Sequence, residues 1–300
     1  MGHDDIPTVL APEIGVIDKA VTVCEEMMRK KDGPILGLHI EGPYLNPKMA
    51  ASLFIDKENP ADPKEYKEIL ERTDCIKRWD SSPEIPGALE FAQYLKSRGI
   101  LSAISHTEAE FDDIKTAYNA GFTHAAHFYN AMPGFHKRRE YKYEGTVESV
   151  FLMDDMTVEV IADGRHLPST ILRLVYKLKG VERTCLVTDA LSCAANEGKP
   201  LSDPRIIIED GVCKLADHSS LVGSIARWTY WYVRWCRRLT FLWPMQSVWL
   251  PRLRPADGGS DRTGTLQRGK DADIVILDRK LNVRAVWSMG NLVPETNTLV

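Results

Sequence analysis

Six short apolar runs in the chain end in side chains suited to metal binding or acid/base chemistry. In order, the ends read His39-Ile40-Glu41-Gly42-Pro43, Ser82-Pro83-Glu84, Ser105-His106-Thr107, His127-Phe128-Tyr129-Asn130, Ala162-Asp163-Gly164-Arg165-His166 and Thr188-Asp189-Ala190. One carboxylate, Glu41, and two imidazoles, His106 and His127, make a three-ligand set for one divalent metal ion such as Zn²⁺ or Fe²⁺, with a position left open for water. An ion there would bring the pKa of that water toward neutrality and polarise a carbonyl. A hydrolase of this kind also needs a proton shuttle, and Asp189 can take the proton from water and pass it to a leaving amine. His166 is the candidate to hold the carbonyl oxygen. A lone histidine in such a place is more often a hydrogen-bonded structural residue, and Asp189 alone could cap a helix starting at Ala190. Six such ends in succession favour chemistry.

The elements that must carry these residues follow from periodicity. From residue 16 to 190, short apolar runs alternate with amphipathic segments of helical period, the pattern of βαβ units, so a parallel sheet is expected. The predicted strands are Ile35–Ile40, Ile76–Trp79, Leu101–Ile104, His124–Phe128, Thr157–Ile161 and Thr184–Val187. Helical patterns separate them, among them Val16–Lys30, Gly87–Ser97 and Glu108–Ala120, the last stopped by Gly121. In a parallel α/β barrel the C-terminal strand ends hold the active site, which is where these residues fall. From Gly264 onward the text turns to β-hairpin grammar, with runs at Ile274–Leu277 and Val283–Trp287 and a turn at Gly290-Asn291.

With 300 residues and 44% apolar content the chain can bury a large core. Its formal charge of −4 gives no reason to expect nucleic acid as a partner. No run of 18 apolar residues marks a membrane span, so no membrane partner is expected either. The six cysteines show no paired spacing and no apolar leader precedes them, which makes a reducing cytoplasm the expected compartment.

The strings LHIEGPYLNP, ISHTEA, AAHFYNAMPGFHKRRE, VIADGRH and CLVTDA resemble the strand-end motifs of the N-acetylglucosamine-6-phosphate deacetylases of the amidohydrolase superfamily. The tail GTLQRGKDADIVILD is similar to the segment by which that superfamily returns to its small β domain. The resemblance runs from about residue 33 to 226 and again from 263 to the end. It implies a (β/α)8 TIM-barrel-like metal-dependent hydrolase over residues 1–262, followed at 263–300 by C-terminal strands of a small β-sandwich domain. The implied reaction is hydrolysis of the acetamide of N-acetylglucosamine 6-phosphate to glucosamine 6-phosphate and acetate. By the same resemblance Glu41, His106 and His127 are the metal ligands, Asp189 the catalytic acid/base and His166 the carbonyl contact. Asn130 and Ala131 would lie along the sugar phosphate. Arg139 would reach a phosphate, in a homodimer that of the neighbouring subunit, and an arginine's planar fork suits that group. The N-acetylgalactosamine 6-phosphate enzyme is the near alternative. Dihydroorotase-like and adenine-deaminase-like enzymes fit less well, since they usually rely on a His-x-His pair in the first strand.

Three departures from the family pattern stand out. Related enzymes usually read Lys-Gly-Ala-His where this chain has Lys48-Met49-Ala50-Ala51-Ser52, so a contact near the phosphate is expected to be weakened or rebuilt. Family members also carry roughly a hundred more residues before the Thr8–Pro12 region, with half of the small domain and two barrel strands. An incomplete barrel with unpaired edges is therefore expected. Finally, residues 227–259 hold five of the seven tryptophans, and from Ile225 to Ala256 there are six arginines and no acid. Apolar and basic residues do not segregate there as in an interfacial membrane helix. Permitted codons read one base earlier spell Thr-Met-Asp-x-Leu-Val from Ala226 onward, so this stretch is read as out of frame. As printed it cannot supply the barrel helices the family places there, which would leave Asp189 without support. An inactive relic that only binds sugar phosphate or metal is the rival from a different class.

Overall fold

Strands that bury their residues without alternation belong to a sheet covered on both faces. Leu38–Glu41 is buried at all four positions and Ile76–Ser81 at all but one. The computed structural model describes residues 6–30, 35–50, 55–195, 201, 203–225, 266–278 and 282–293. Ser52 and the tryptophan-rich segment 227–259 lie outside the described residues.

In chain order the elements are β1 (Thr8–Leu10), α1 (Ile14–Met28), β2 (Leu38–Glu41), α2 (Pro63–Arg72), β3 (Ile76–Ser81), α3 (Ala88–Ser97), β4 (Leu101–Ile104), α4 (Phe111–Ala120), β5 (Phe122–Ala125), β6 (His136–Arg138), β7 (Tyr141–Tyr143), α5 (Thr146–Leu152), β8 (Thr157–Ile161), α6 (Ser169–Lys179), β9 (Thr184–Val187), β10 (Ile206–Glu209), β11 (Val212–Leu215), β12 (Ile274–Leu277), β13 (Val283–Ser288) and β14 (Asn291–Leu292). Seven strands form one sheet in the order β1-β2-β3-β4-β5-β8-β9, every pair parallel. Each step but one is a strand-helix-strand unit; between β5 and β8 the antiparallel ribbon β6–β7 is added before α5.

Three of the predicted strands, Leu101–Ile104, Thr157–Ile161 and Thr184–Val187, have the expected bounds. In the run Ile35–Ile40 the continuous strand begins at Leu38, and His124–Phe128 is shifted back to Phe122–Ala125, which leaves His127 beyond the strand. Within the Thr8–Pro12 region, Thr8–Leu10 is itself a strand, paired parallel to β2. Among the described residues the sheet therefore has seven strands, where an eight-stranded barrel lacking two would have six; a three-residue run is too short to show a period.

Local signals set the helix ends. Asp62 accepts from the Lys64 amide at the start of α2 with Pro63 in its first turn, and α4 ends at Gly121, φ 130°. Beneath β2 and β3, fully buried Trp79, Tyr44, Phe91 and Tyr66 form an aromatic cluster, with Trp79 and Phe91 edge to face at 5.2 Å. The Trp79 indole N–H donates to Gly42 O at 2.8 Å, which pins the turn directly after Glu41. Gly42 has φ 91°, and a Cβ there would come within 2.7 Å of Ala11 O.

Past β9, β10 and β11 form a hairpin turned at Asp210-Gly211, and β12, β13 and β14 form an antiparallel three-stranded sheet. The latter matches the hairpin grammar of the tail, with Ile274 opposite Trp287. Among the described residues no helix is long and apolar enough to cross a membrane.

Candidate metal centre and active site

Glu41 closes β2, His106 follows β4 and His127 follows β5, so three strands deliver three buried ligand-type side chains to one point. Glu41 Oε1 lies 2.8 Å from His106 Nε2 and 3.2 Å from His127 Nε2. The far ring nitrogens are already used: His106 Nδ1 donates to Met49 O at 2.8 Å and His127 Nδ1 to Asn130 O at 3.2 Å. Each Nδ1 proton is thereby fixed and each Nε2 faces the carboxylate, the tautomer a metal ligand requires.

Backbone geometry shows the strain of this convergence. His106, His127 and Asp189 have φ of 45°, 27° and 48°, the left-handed region that non-glycine residues seldom occupy. Such strain persists only where surrounding structure enforces it, and it gathers at functional sites. Ser82 Oγ donates to His106 O at 2.7 Å and accepts from the Asn46 amide at 2.7 Å. Glu84 accepts from Asn46 Nδ2, Thr107 Oγ1 and the Glu108 amide, tying together the loops after β2 and β4.

The electrostatics favour a cation. Burial opposes charge on Glu41, but hydrogen bonds from His106 and His127 outweigh it and hold the carboxyl well below its ordinary value. Burial likewise opposes charge on His127, and the contact with Glu41 reverses the balance, raising it to about 9. One buried carboxylate thus demands positive charge at the point where two imidazole lone pairs converge. Two nitrogens, one oxygen and completed outer hydrogen bonds suit a single borderline divalent ion.

Asp189 follows β9, and its half-buried carboxyl is raised above the ordinary range by burial and by Glu41, against the pull of His127. Its main chain is clamped by Ser224: the Ser224 amide donates to Asp189 O at 2.6 Å, and Ser224 Oγ donates to Thr188 O at 2.6 Å. A Cβ on Gly223 would approach Asp189 O to 2.7 Å. Among the described residues the main chain of Asp189 is held by Ser224, which precedes the tryptophan-rich stretch; the helices expected in that stretch lie outside the described residues.

His166 Nδ1 donates to Asp163 Oδ2 at 2.7 Å, while its buried Nε2 has no hydrogen-bond partner among the described residues. Asp163 is itself held by the Arg165 and His166 amides; burial opposes its charge, and the His166 imidazole, helped by these amides, outweighs it, so the carboxyl lies below its ordinary value. Asn130 and Ala131 (φ 51°) lie in the loop after His127, where Ala131 O accepts from the Thr107 amide at 3.1 Å. Arg139 is exposed at the tip of the β6–β7 ribbon, φ 55°. Sequence reasoning assigned no part to Ser82, Glu84, Asp163 or Ser224. Three of these sat within the strand-end strings and could have been flagged as partners of the histidines.

A second group with ligand-type atoms, His124, Glu159 and Cys185, lies within the sheet. Both Glu159 oxygens are taken by Arg78, Oε2 at 2.7 Å from Nη1 and Oε1 at 2.8 Å from Nη2. A permanent guanidinium cation so close repels a metal ion, and the group reads as part of an ion-paired network.

No family model matches the chain. It is similar to the N-acetylglucosamine-6-phosphate deacetylase of Bacillus subtilis, 27% identical over 96% of this chain and 74% of that one. It is also 27% identical to an N-acetylgalactosamine-6-phosphate deacetylase of Escherichia coli O157:H7, over 96% of this chain and 76% of the relative. Among solved structures it superposes on the N-acetylglucosamine-6-phosphate deacetylase of Thermotoga maritima with a TM-score of 0.87 at 25% identity, covering 97% of this chain and 78% of that one. A mutant of the Mycobacterium smegmatis deacetylase, in complex with N-acetyl-D-glucosamine-6-phosphate, superposes with a TM-score of 0.83 at 25% identity, covering 96% and 75%.

Proposed function

We infer that this chain, a relative of the N-acetylglucosamine-6-phosphate deacetylases in sequence and in fold, hydrolyses the acetamide of N-acetylglucosamine 6-phosphate to the free amine and acetate. The observation that carries this reading is the meeting of Glu41, His106 and His127 at strand ends of a parallel α/β sheet, with Asp189 and His166 on the neighbouring ends. Glu41, His106 and His127 hold one divalent ion, zinc or iron, which when bound supplies Lewis acidity toward the amide carbonyl and acidifies water. Asp189 removes a proton from the attacking water and returns it to the amine nitrogen as the C–N bond breaks; a carboxyl with a raised pKa suits both halves of that transfer. With Asp163 accepting from Nδ1, the His166 ring is held so that Nε2 contacts the carbonyl oxygen. Asn130 and Ala131 line the sugar, and Arg139 takes the phosphate, that of the neighbouring subunit in a homodimer.

Two further elements belong to this proposal. Residues 1–262 form the catalytic barrel unit and 263–300 contribute strands of a small β domain, supported by the change from parallel to antiparallel pairing along the chain. The compartment is the cytoplasm, consistent with free thiols at all five described cysteines.

The test is acetate release by the purified, zinc- or iron-loaded chain from N-acetylglucosamine 6-phosphate, with N-acetylgalactosamine 6-phosphate and unphosphorylated N-acetylglucosamine in parallel. Release from the first substrate supports the reading, and faster release from the second moves the assignment to the galactosamine epimer, for which the Escherichia coli relative is named. Metal binding with no release from any of the three defeats it in favour of a binding protein.

A further inference from the structure

Below the metal centre a chain of polar side chains crosses the inside of the sheet. Thr8 Oγ1 on β1 meets His39 Nδ1 on β2 at 2.7 Å, and His39 Nε2 lies 3.0 Å from Asp80 Oδ1 on β3. Asp80 is gripped by Arg78 of the same strand, Nε–Oδ1 2.7 Å and Nη2–Oδ2 2.8 Å. The Arg78 guanidinium also forks onto both oxygens of Glu159 on β8. Beyond it, His124 on β5 lies 3.5 Å from Glu159 and pairs through Nδ1 with Thr157 Oγ1 at 2.7 Å. Asp80 is fully buried, and Arg78 and Glu159 are nearly so.

In the sheet, β4 and β5 stand between β3 and β8. Three strand spacings in a flat sheet amount to about 14 Å, yet Arg78 and Glu159 touch directly. The contact is therefore a chord across a curled sheet. Curl is what brings the ends of β2, β4 and β5 together, and among the described residues the sheet has free edges at β1 and β9, so closure does not impose it. Glu159 Oε1, the oxygen that Arg78 Nη2 holds, is also 3.3 Å from the amide of His127, whose φ of 27° needs enforcing. The Phe128 amide donates to Glu159 O at 2.7 Å, a second tie to the same turn.

We propose that Arg78, locked between Asp80 and Glu159, is a positioning residue for the metal ligand His127, acting as a brace that fixes the curl of the sheet and presents Glu159 to the His127 amide. The inference rests on the reading of Glu41, His106 and His127 as a metal centre, and its test is independent of turnover. Co²⁺ binding to the full chain, followed by its visible absorption, reports affinity and ligand geometry together. Arg78→Met lowers Co²⁺ affinity about 10- to 100-fold, the scale on which outer partners of metal ligands act, and alters the visible band while far-ultraviolet circular dichroism stays native. Glu159→Gln keeps an oxygen for the His127 amide and retains most of the wild-type band, whereas Glu159→Ala loses it. Should Arg78→Met not fold, the Glu159 pair carries the test. Wild-type affinity and band in Arg78→Met with only a lower melting temperature, or identical behaviour of the two Glu159 variants, overturns the proposal. Normal Co²⁺ binding without acetate release by the wild-type chain defeats the deacetylase reading alone.

Discussion

Two buried polar clusters lie one above the other in this sheet, and they are built on opposite terms. In the lower one Arg78 supplies donors in fixed directions and Asp80 and Glu159 take them up, so charge and hydrogen bonding close within the cluster. Burial opposes ionisation of both carboxylates, yet the guanidinium holds Asp80 below and Glu159 well below the ordinary range. In the upper one the outer nitrogens of His106 and His127 are satisfied, while the inner ones converge on a single oxygen of Glu41. The lower network closes on itself and touches the upper one through Glu159 and the His127 amide, whereas the upper one converges on the point where we propose a metal ion.

Substitution should separate the two clusters sharply. Glu41→Met is expected to abolish metal binding and acetate release, measured by metal analysis and turnover. Its cost in stability is small, because both imidazoles keep their outer hydrogen bonds to Met49 O and Asn130 O. Glu159→Met adds a large stability cost to its effect on the His127 turn: a guanidinium cannot shed its proton, so losing one of its two partners costs about 3–5 kcal/mol, read from denaturant unfolding. Equal destabilisation by the two would break the contrast.

Within the upper cluster, Asp189→Asn is expected to lower kcat by about 10²–10⁴ with metal content unchanged. Unchanged turnover would refute its role as proton shuttle. Asp163→Asn, which removes the anchor of His166, is expected to lower kcat by about 10²-fold and leave Co²⁺ affinity intact.

The smallest effect concerns a third buried charge. Lys179 is 2% exposed, its Nζ donates to Met153 O at 2.6 Å, and burial pushes its pKa down to about 8 from 10.5. Between pH 8 and 10.5 the unfolded chain binds more protons than the folded one, so wild-type stability gains about 1–3 kcal/mol from this group as pH rises through that window. Lys179→Met should lack the gain and be the more stable form at pH 7, as melting curves at the two ends of the window would show.

The upper cluster was legible in the sequence, and the lower one was not. Glu41, His106, His127 and Asp189 stand where apolar runs stop, so their polarity breaks a pattern and draws notice. Arg78, Asp80, Glu159 and His124 sit inside strands at inward positions, where an alternating polar residue looks like one that faces water. Arg78 and Glu159 are 81 residues apart, and nothing local announces their pairing. Edges were the other blind spot: β1 offers only three residues, and the β10–β11 hairpin is marked by little more than Asp210-Gly211. The clamp on Asp189 by Ser224 joins positions 35 apart in the chain and could not be seen before the fold was.

The spacing of the ligands also bears on how the molecule assembles. Glu41, His106 and His127 span 86 residues and belong to strands that pair through β3 and β4. An unfolded or half-registered chain offers an ion only scattered single donors, so capture waits until four strands, β2 to β5, are in place. Any ion that binds the native arrangement alone then shifts the folding equilibrium, by about 2.7 kcal/mol at a hundredfold excess over its dissociation constant. Metal supply in the cell would thereby govern how much of this chain persists, as well as how much of it works.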